Sequence, residues 1–162
     1  MSELSRLSSR YAIRALAPGD LEAVYALCAE NELFYRFHPP FVTRQSILDD
    51  WKALPPGKTA EDKFELGFWS GPRLIAVLDL IRGYPAGDTA WIGFFMVCAG
   101  EQGRGVGSGI VSELAEALRA LGFRRIGLGT DRENPQSNAF WQKNGFPLVG
   151  ERGGFLLRER LL

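Results

Sequence analysis

Hydrophobic and polar positions follow one another along the chain in blocks that predict both strands and helices, with three strand-like runs in succession at the centre. Apolar residues at every second position, or short wholly apolar runs, indicate strands, whereas apolar residues three or four positions apart indicate helices. On this basis we predict strands at 11–16, 64–69, 73–81, 89–97 and 126–131, a strand pair within 148–162, and helices at 21–29, 44–54, 108–121 and 135–144.

The three central runs are joined by short turns, Ser70-Gly71-Pro72 and residues 83–88. Short connections of this kind join antiparallel strands, so we expect a meander. The third run, 89–97, is apolar on both faces, which is typical of a central strand covered on each side. The helix at 108–121 has one apolar stripe and a glycine, Gly122, placed to end it.

The segment 31–43 is rich in aromatic residues and is interrupted by Pro39-Pro40. It is too aromatic for an idle linker and too broken by proline for a long helix. We interpret it as the end of a helix followed by a functional loop, although its phenylalanine rings are also well explained as core residues beneath a long loop.

Composition narrows the class of protein. The chain has 162 residues, equal numbers of basic and acidic side chains (19 each) and 46% hydrophobic residues. No repeat or linker divides it, so we predict a single domain spanning 1–162. A net charge of zero argues against nucleic acid or an anionic membrane as a partner.

Cysteine and histidine are scarce. Cys28, Cys98 and His38 have no metal-ligand spacing, so we expect no metal site. The absence of a run of about 20 apolar residues, or of an apolar signal core at the start, leads us to expect a cytoplasmic protein.

The most informative segment is the glycine-rich stretch 102–108, QGRGVGS, which lies between the central strand and the long helix. The first turn of a helix has unpaired amide groups and a partial positive charge, and glycines allow phosphate oxygens to approach closely. A diphosphate cradle and a plain tight turn both fit this spacing. A nucleotide P-loop requires Lys after the last glycine, where Ser108 stands, and a dinucleotide fold requires parallel units rather than a meander.

The chain resembles the GNAT superfamily of acyl-CoA N-acyltransferases at two motifs. The family's loop signature, Gln or Arg, two residues, Gly, one residue, Gly or Ala, is matched at Gln102, Gly105 and Gly107. A second motif, Asn before a short helix that ends aromatic-x-Lys-x-Gly-Phe, is matched at Asn134, Trp141, Lys143, Gly145 and Phe146. The match covers about 73–146, whereas the first 70 residues agree only in the order of their elements.

The resemblance implies a mixed α/β fold with a mostly antiparallel sheet of about six to seven strands, about four flanking helices and a splayed cleft for acyl-CoA. It implies acetyl-CoA as cosubstrate, with its diphosphate on the loop and its pantetheine along the end of the central strand. The implied cofactor-binding residues are Val97, Gln102, Gly103, Arg104, Gly105, Val106, Gly107, Ser108, Asn134 and Trp141. Asn134 would also serve as the N-cap of the helix that begins at Pro135.

Direct acetyl transfer requires a neutral amine, and an amine with a pKa near 10.4 is protonated at pH 7, so deprotonation costs roughly 4.6 kcal/mol. A carboxylate of raised pKa can take that proton. Asp79, which interrupts an apolar strand, is our first candidate for this base, although an outward-facing charge is the more common explanation for such a residue; Asp88 and Glu101 are other candidates.

The departing thiolate can be protonated by an acid, for which many family members use a tyrosine where this chain has Trp141. An indole cannot give up a proton at this pH, although its N–H can donate a hydrogen bond to sulfur. Ser137 or an ordered water is the substitute that we consider.

The acceptor is expected to be a small-molecule amine or a protein N-terminus. Its candidate contacts are Phe34, Tyr35 and His38 in the aromatic segment and Tyr84 in the turn before the central strand. The replacement of tyrosine by Trp141 keeps an alternative open, a degenerate member that binds acyl-CoA as a sensor or interaction module without catalysis. A homodimer could form if the closing strand, FLLRERLL, paired with its own copy, although an ordinary edge strand explains this sequence as well.

Overall fold

The computed structural model describes residues 3–162 and forms one seven-stranded sheet with helices on its two faces. The elements are β1 Ala12–Ala15, α1 Leu21–Ala29, α2 Glu32–Phe37, α3 Arg44–Lys52, β2 Lys63–Ser70, β3 Arg73–Arg82, β4 Thr89–Val97, α4 Val106–Ala120, β5 Arg125–Asp131, α5 Pro135–Lys143, β6 Leu148–Arg152 and β7 Phe155–Leu161. The strand order is β1-β2-β3-β4-β5-β7-β6, and the fold class predicted from the sequence is confirmed.

The helices differ from the predicted pattern in two places. Residues Glu32–Phe37 form a helix of their own, where we predict only a helix end and a loop. A turn at Asn31 separates α2 from α1, and Pro39-Pro40 prevents α2 from continuing. Helix α4 begins at Val106, two residues earlier than predicted, because Gly105 has a left-handed conformation (φ 79°) that starts the helix inside the glycine-rich stretch.

One strand pair breaks the antiparallel pattern and creates the cleft. Strands β4 and β5 are parallel and pair only over Thr89–Ile92 and Arg125–Leu128. The register of β4 against β3 shifts at the next residue, Gly93, which bulges between the residues paired with Leu80 and Asp79. From Gly93 onward β4 therefore has no partner on the β5 side, and the sheet is open between the two strands.

The closing strand is not an edge. β7 lies between β5 and β6 and pairs with both, so the expected pairing of FLLRERLL with its own copy is wrong. The edge is β6, whose Leu148 and Val149 are exposed.

The core fills both faces of the sheet. β3 is buried along most of its length, and the apolar stripe of α4, including Ile110, Leu114 and Leu118, packs against the core. Within residues 3–162, no helix is long and apolar enough to cross a membrane.

Candidate active site

A cavity of about 910 Å³ connects the glycine-rich stretch, the opening between β4 and β5, and the sheet face covered by α1, α2 and α3. Most of the residues predicted from the sequence line it: Phe34, Tyr35, His38, Asp79, Val97, Gln102, Gly103, Gly105, Gly107, Ser108, Asn134, Ser137 and Trp141. The candidate cofactor and acceptor residues thus share one continuous space.

The glycine-rich stretch presents a row of free donors. None of the amide groups of 103–108 donates a hydrogen bond to any group within residues 3–162. Gly103 and Gly105 have φ values of 75° and 79°, which favour glycine, and a methyl group on either would meet no atom within 4 Å. Free amides at a helix start, with open space before them, form a site for an anion such as diphosphate.

At the end of β4, side chains and not β5 provide the hydrogen-bond partners of the strand. The Gln102 Nε2 donates to the Val97 carbonyl oxygen at 2.8 Å and also to Asn31 Oδ1. The Asn31 Nδ2 is 3.4 Å from the same carbonyl oxygen. Gln102 therefore links the strand end to the turn between α1 and α2, where its partner Asn31 lies, a residue that no sequence pattern marks.

Asn134 caps α5 and keeps one donor free. Its Oδ1 accepts a hydrogen bond from the Ser137 amide at 3.0 Å, so the N-cap that we predict is present. Its Nδ2 makes no hydrogen bond within residues 3–162, and the residue lines the cavity. The side-chain Nδ2 of Asn138 holds this turn by donating to the Asp131 and Asn134 carbonyl oxygens at 3.0 and 2.8 Å. Asn134 can thus cap the helix and donate to a ligand at once.

Trp141 packs in a cluster of rings at the cavity wall. Its ring centroid lies 4.9 Å from that of Phe140, 5.0 Å from Phe146 and 5.9 Å from Phe95. The side chain is buried, so its first role is packing.

Asp79 lies at the point where the cleft begins. A side chain on Gly93 would place its Cβ 2.6 Å from Asp79 Oδ2, so this carboxylate occupies the space that the bulge leaves free. The Lys63 Nζ donates to Oδ2 at 3.0 Å, whereas Oδ1 is buried and has no partner within residues 3–162. The side chain is only 13% exposed, so the alternative of an outward-facing charge is wrong. Burial raises the pKa of Asp79, and Lys63 opposes that rise.

Two further carboxylates share this end of the cavity and were missed by sequence reasoning. Glu65 is the register partner of Asp79 on β2, and its Oε1 is 3.3 Å from the Lys63 Nζ. Burial, and then the charge of Asp79, raises the pKa of Glu65 to about 8. Burial also raises the pKa of Asp50 on α3. Alternating polar residues at 63 and 65 were visible, but this pattern is equally typical of a strand face in solvent.

His38 and Asp131 bridge the two sides of the opening. The His38 Nδ1 lies 3.0 Å from Asp131 Oδ1, joining the end of α2 to the end of β5. The imidazole stacks on Phe34 with ring centroids 5.3 Å apart, and Phe34 contacts Phe94 of β4 edge-on. Burial raises the pKa of the neighbouring Tyr35 far above its usual range, so its hydroxyl stays neutral. Asp131 is another residue that sequence reasoning missed.

Five predicted residues are not brought to the cavity. One of them, the candidate base Asp88, forms an ion pair with Arg125 at 3.7 Å. Glu101 forms an ion pair with Arg73 at 3.1 Å, so its proposed role as a base is not supported by its position. The Arg104 side chain is exposed, and that of Val106 is buried in the core. The Tyr84 ring packs edge-on against Trp91, with centroids 5.5 Å apart, and does not line the cavity.

A model of the acetyltransferase (GNAT) family matches residues 22–146. This match covers more than half of the chain, and the chain belongs to that family. No curated protein matches the sequence.

Solved structures with the same fold include acetyltransferases of several kinds. An acetyltransferase from Thermus thermophilus is 22% identical, with a TM-score of 0.79, and the match covers 93% of this chain and 96% of that one. Spermidine N-acetyltransferase from Vibrio cholerae, in complex with CoA and spermine, is 19% identical, with a TM-score of 0.67 and coverage of 95% and 96%. The ribosomal-protein-S18-alanine N-acetyltransferase from Escherichia coli is 15% identical, with a TM-score of 0.68 and coverage of 93% and 92%.

Proposed function

We propose that this protein is an N-acetyltransferase that moves an acetyl group directly from acetyl-CoA to a primary amine. The observation that carries the proposal is the position of the opening between β4 and β5. It lies between a row of free amides on one side and a buried carboxylate, Asp79, on the other. An acyl donor and an amine that entered from these two sides would meet at Gly93.

The cofactor side of the cavity suits acetyl-CoA. The amides of 103–108 would bind its diphosphate. The edge of β4 from Gly93 to Val97 has no strand partner on the β5 side and would hydrogen-bond the pantetheine as a strand does, except at the Val97 carbonyl oxygen, which accepts from Gln102. The free Asn134 Nδ2 is a donor for the same arm, and Trp141 would pack beside the thioester.

Acetyl transfer depends more on a base that deprotonates the amine than on an acid that protonates the departing thiolate. Asp79 accepts the proton of the amine, whose nitrogen then attacks the thioester carbon. The thiolate has a pKa near 8.5 and is a tolerable leaving group. Ser137, which lines the cavity, or an ordered water would return a proton to it.

The acceptor side favours a cationic amine. Phe34, Tyr35 and His38 form an aromatic wall, and the carboxylates outnumber the lysine beside it. A small-molecule amine and a protein N-terminus both have this chemistry. The two cysteines are free thiols, which supports a cytoplasmic setting.

A degenerate protein that binds acyl-CoA without catalysis is the second candidate, and Trp141 in place of a tyrosine is the observation that favours it.

Calorimetric titration with acetyl-CoA tests the cofactor site. An L-residue at the left-handed Gly105 is strained by about 1 to 2 kcal/mol, so Gly105→Ala should distort the cradle and raise the Kd about tenfold or more. Gly122→Ala is the matched control, because Gly122 also has a positive φ (93°) but lies at the far end of α4. Unchanged affinity in Gly105→Ala would rule out the loop as the cofactor anchor.

A further inference from the structure

The acidic end of the cavity has more carboxylates than its single lysine can satisfy. Glu65 and Asp79 face each other across β2 and β3, with Asp50 of α3 beside them. The only lysine among them, Lys63, is 6% exposed, and β4 contributes no charged side chain to this face. The charges of His38, at the end of α2, and of Asp49 on α3 also act on Asp50.

Lys63 directs most of its N–H groups to backbone carbonyl oxygens and not to the carboxylates. An ammonium has three N–H groups. Two point to the carbonyl oxygens of Asp50 and Ala53 at the end of α3, each at 2.8 Å. The third donates to Asp79 Oδ2, while Glu65 Oε1 lies farther away at 3.3 Å. One donor thus serves two carboxylates, and the lysine fixes their position against α3.

Two carboxylates that share one donor do not both ionise easily. Like charges in close contact in a buried place force one group to keep a proton, and the pair then titrates as a unit. Asp79 Oδ1, buried and without a partner among the described residues, adds to the cost of a second charge. The pair also sits at Gly93, where the cleft between β4 and β5 begins.

We propose that Glu65 and Asp79 act as one proton-accepting pair, positioned by Lys63, that receives the protons of the acceptor amine. This inference rests on the proposed function and adds Glu65 to the catalytic residues. The acceptor ammonium gives one proton to the pair, which passes it to solvent. The nitrogen lone pair then forms the C–N bond, the C–S bond breaks, and the second nitrogen proton passes through the pair or a water to the thiolate, giving the amide and the CoA thiol.

Carboxyl carbon NMR titration of ¹³C-labelled protein tests the pair without any substrate, and the pH profile of kcat/KM tests it in the reaction. In wild type we expect one carboxyl of the pair to titrate well above its usual range. Asp79→Asn should lower the Glu65 titration midpoint by about one unit or more, because the like charge of Asp79 is removed. Glu65→Gln should lower the acidic limb of the kcat/KM profile by a similar amount, because the group of the pair that loses its proton last is removed. Lys63→Met should raise both by about 1 to 3 units.

The single and double variants should also be non-additive. Asp79→Asn together with Glu65→Gln should cost little more in kcat/KM than the more damaging single change, as expected for groups that act together. Glu159→Gln is the matched control, since Glu159 is a strand glutamate that hydrogen-bonds to Arg125 outside the cavity, and it should leave the pH profile unchanged.

Independent titration of Glu65 and Asp79 near their usual pKa values, in wild type, would overturn the inference even if no variant folds. An acidic limb that stays in place in Glu65→Gln would also overturn it while leaving the acetyltransferase proposal intact. Conversely, wild type that releases no CoA with any amine contradicts the proposed function, and the NMR titration still decides whether the pair exists.

Discussion

At the scale of single residues, the site is defined by polar atoms that the fold leaves without partners in the part of the chain that the structure describes. Asn134 Nδ2 and the amides of 103–108 are unused donors, and Asp79 Oδ1 is an unused acceptor. Asp79 Oδ1 is also buried, and a buried group of this kind is costly unless a ligand or a reaction uses it. Trp141, in contrast, contacts its neighbours through its ring, which packs edge-on against Phe140 and Phe146, and we therefore assign it to packing and not to proton transfer.

Substitutions at Trp141 therefore distinguish a packing role of this side chain from a role in the reaction. Trp141→Phe keeps a ring but removes the indole N–H, so we expect most of the kcat to remain and about 1 to 2 kcal/mol of stability to be lost. Trp141→Tyr restores the family's usual acid and should raise kcat or leave it unchanged. Steady-state kinetics and urea unfolding measure the two effects. A hundredfold loss of kcat in Trp141→Phe, with acetyl-CoA affinity intact, would mean that the indole N–H takes part in the reaction.

At the scale of elements, the split between β4 and β5 and the bulge at Gly93 generate the site. The bulge shifts the register of β4 against β3 where its pairing with β5 ends, and the carboxylate of Asp79 fills the space beside it. Position 93 requires a glycine because the Asp79 carboxylate lies too close for a Cβ, and not because the backbone has a positive φ.

Gly93→Ala tests this arrangement. The new methyl group would lie 2.6 Å from Asp79 Oδ2, so the carboxylate must move away from Lys63. We expect kcat to fall strongly while the Kd for acetyl-CoA changes little, as measured by CoA release and calorimetry. Gly150→Ala on β6 is the control, because its methyl group meets Leu157 at an ordinary 3.8 Å. Full activity in Gly93→Ala would show that the position of Asp79 is unimportant.

Element order and the glycine-rich site were predictable from the sequence, because apolar periodicity and motif spacing are local signals. The separate helix α2 was not, since six residues carry too little periodicity to distinguish a short helix from a loop. The setting of Asp79 and Glu65 was not predictable either. A strand shows the same alternation of polar residues whether its polar face lies in water or packs against a helix. Here that face packs against the end of α3, where Lys63 donates to two carbonyl oxygens. Asn31 and Asp131 act through contacts distant in sequence, which no local pattern reveals.

At the scale of the whole molecule, the carboxylate pair links stability to pH. The folded-state pKa of Glu65 is raised to about 8, above its unfolded value near 4.3. The folded protein therefore binds more protons than the unfolded chain between these values, and this contribution to stability, complete at low pH, is lost as pH rises through 8.

We accordingly expect the free energy of unfolding to fall between about pH 5 and pH 9 more steeply in wild type than in Glu65→Gln. Urea unfolding at several pH values measures the difference, and Glu159→Gln should keep the slope of wild type. Equal slopes in wild type and Glu65→Gln would contradict the raised pKa of Glu65.

The central claim, acetyl transfer to an amine, is tested most directly by measuring CoA release from acetyl-CoA by the wild-type protein over a panel of amines and peptides, with mass spectrometry of the products. We predict amine-dependent release of CoA, matched mole for mole by an N-acetylated product, with cationic amines preferred. Tight binding of acetyl-CoA without any acetylated product across the panel would contradict the claim and identify the protein as a binder of acyl-CoA.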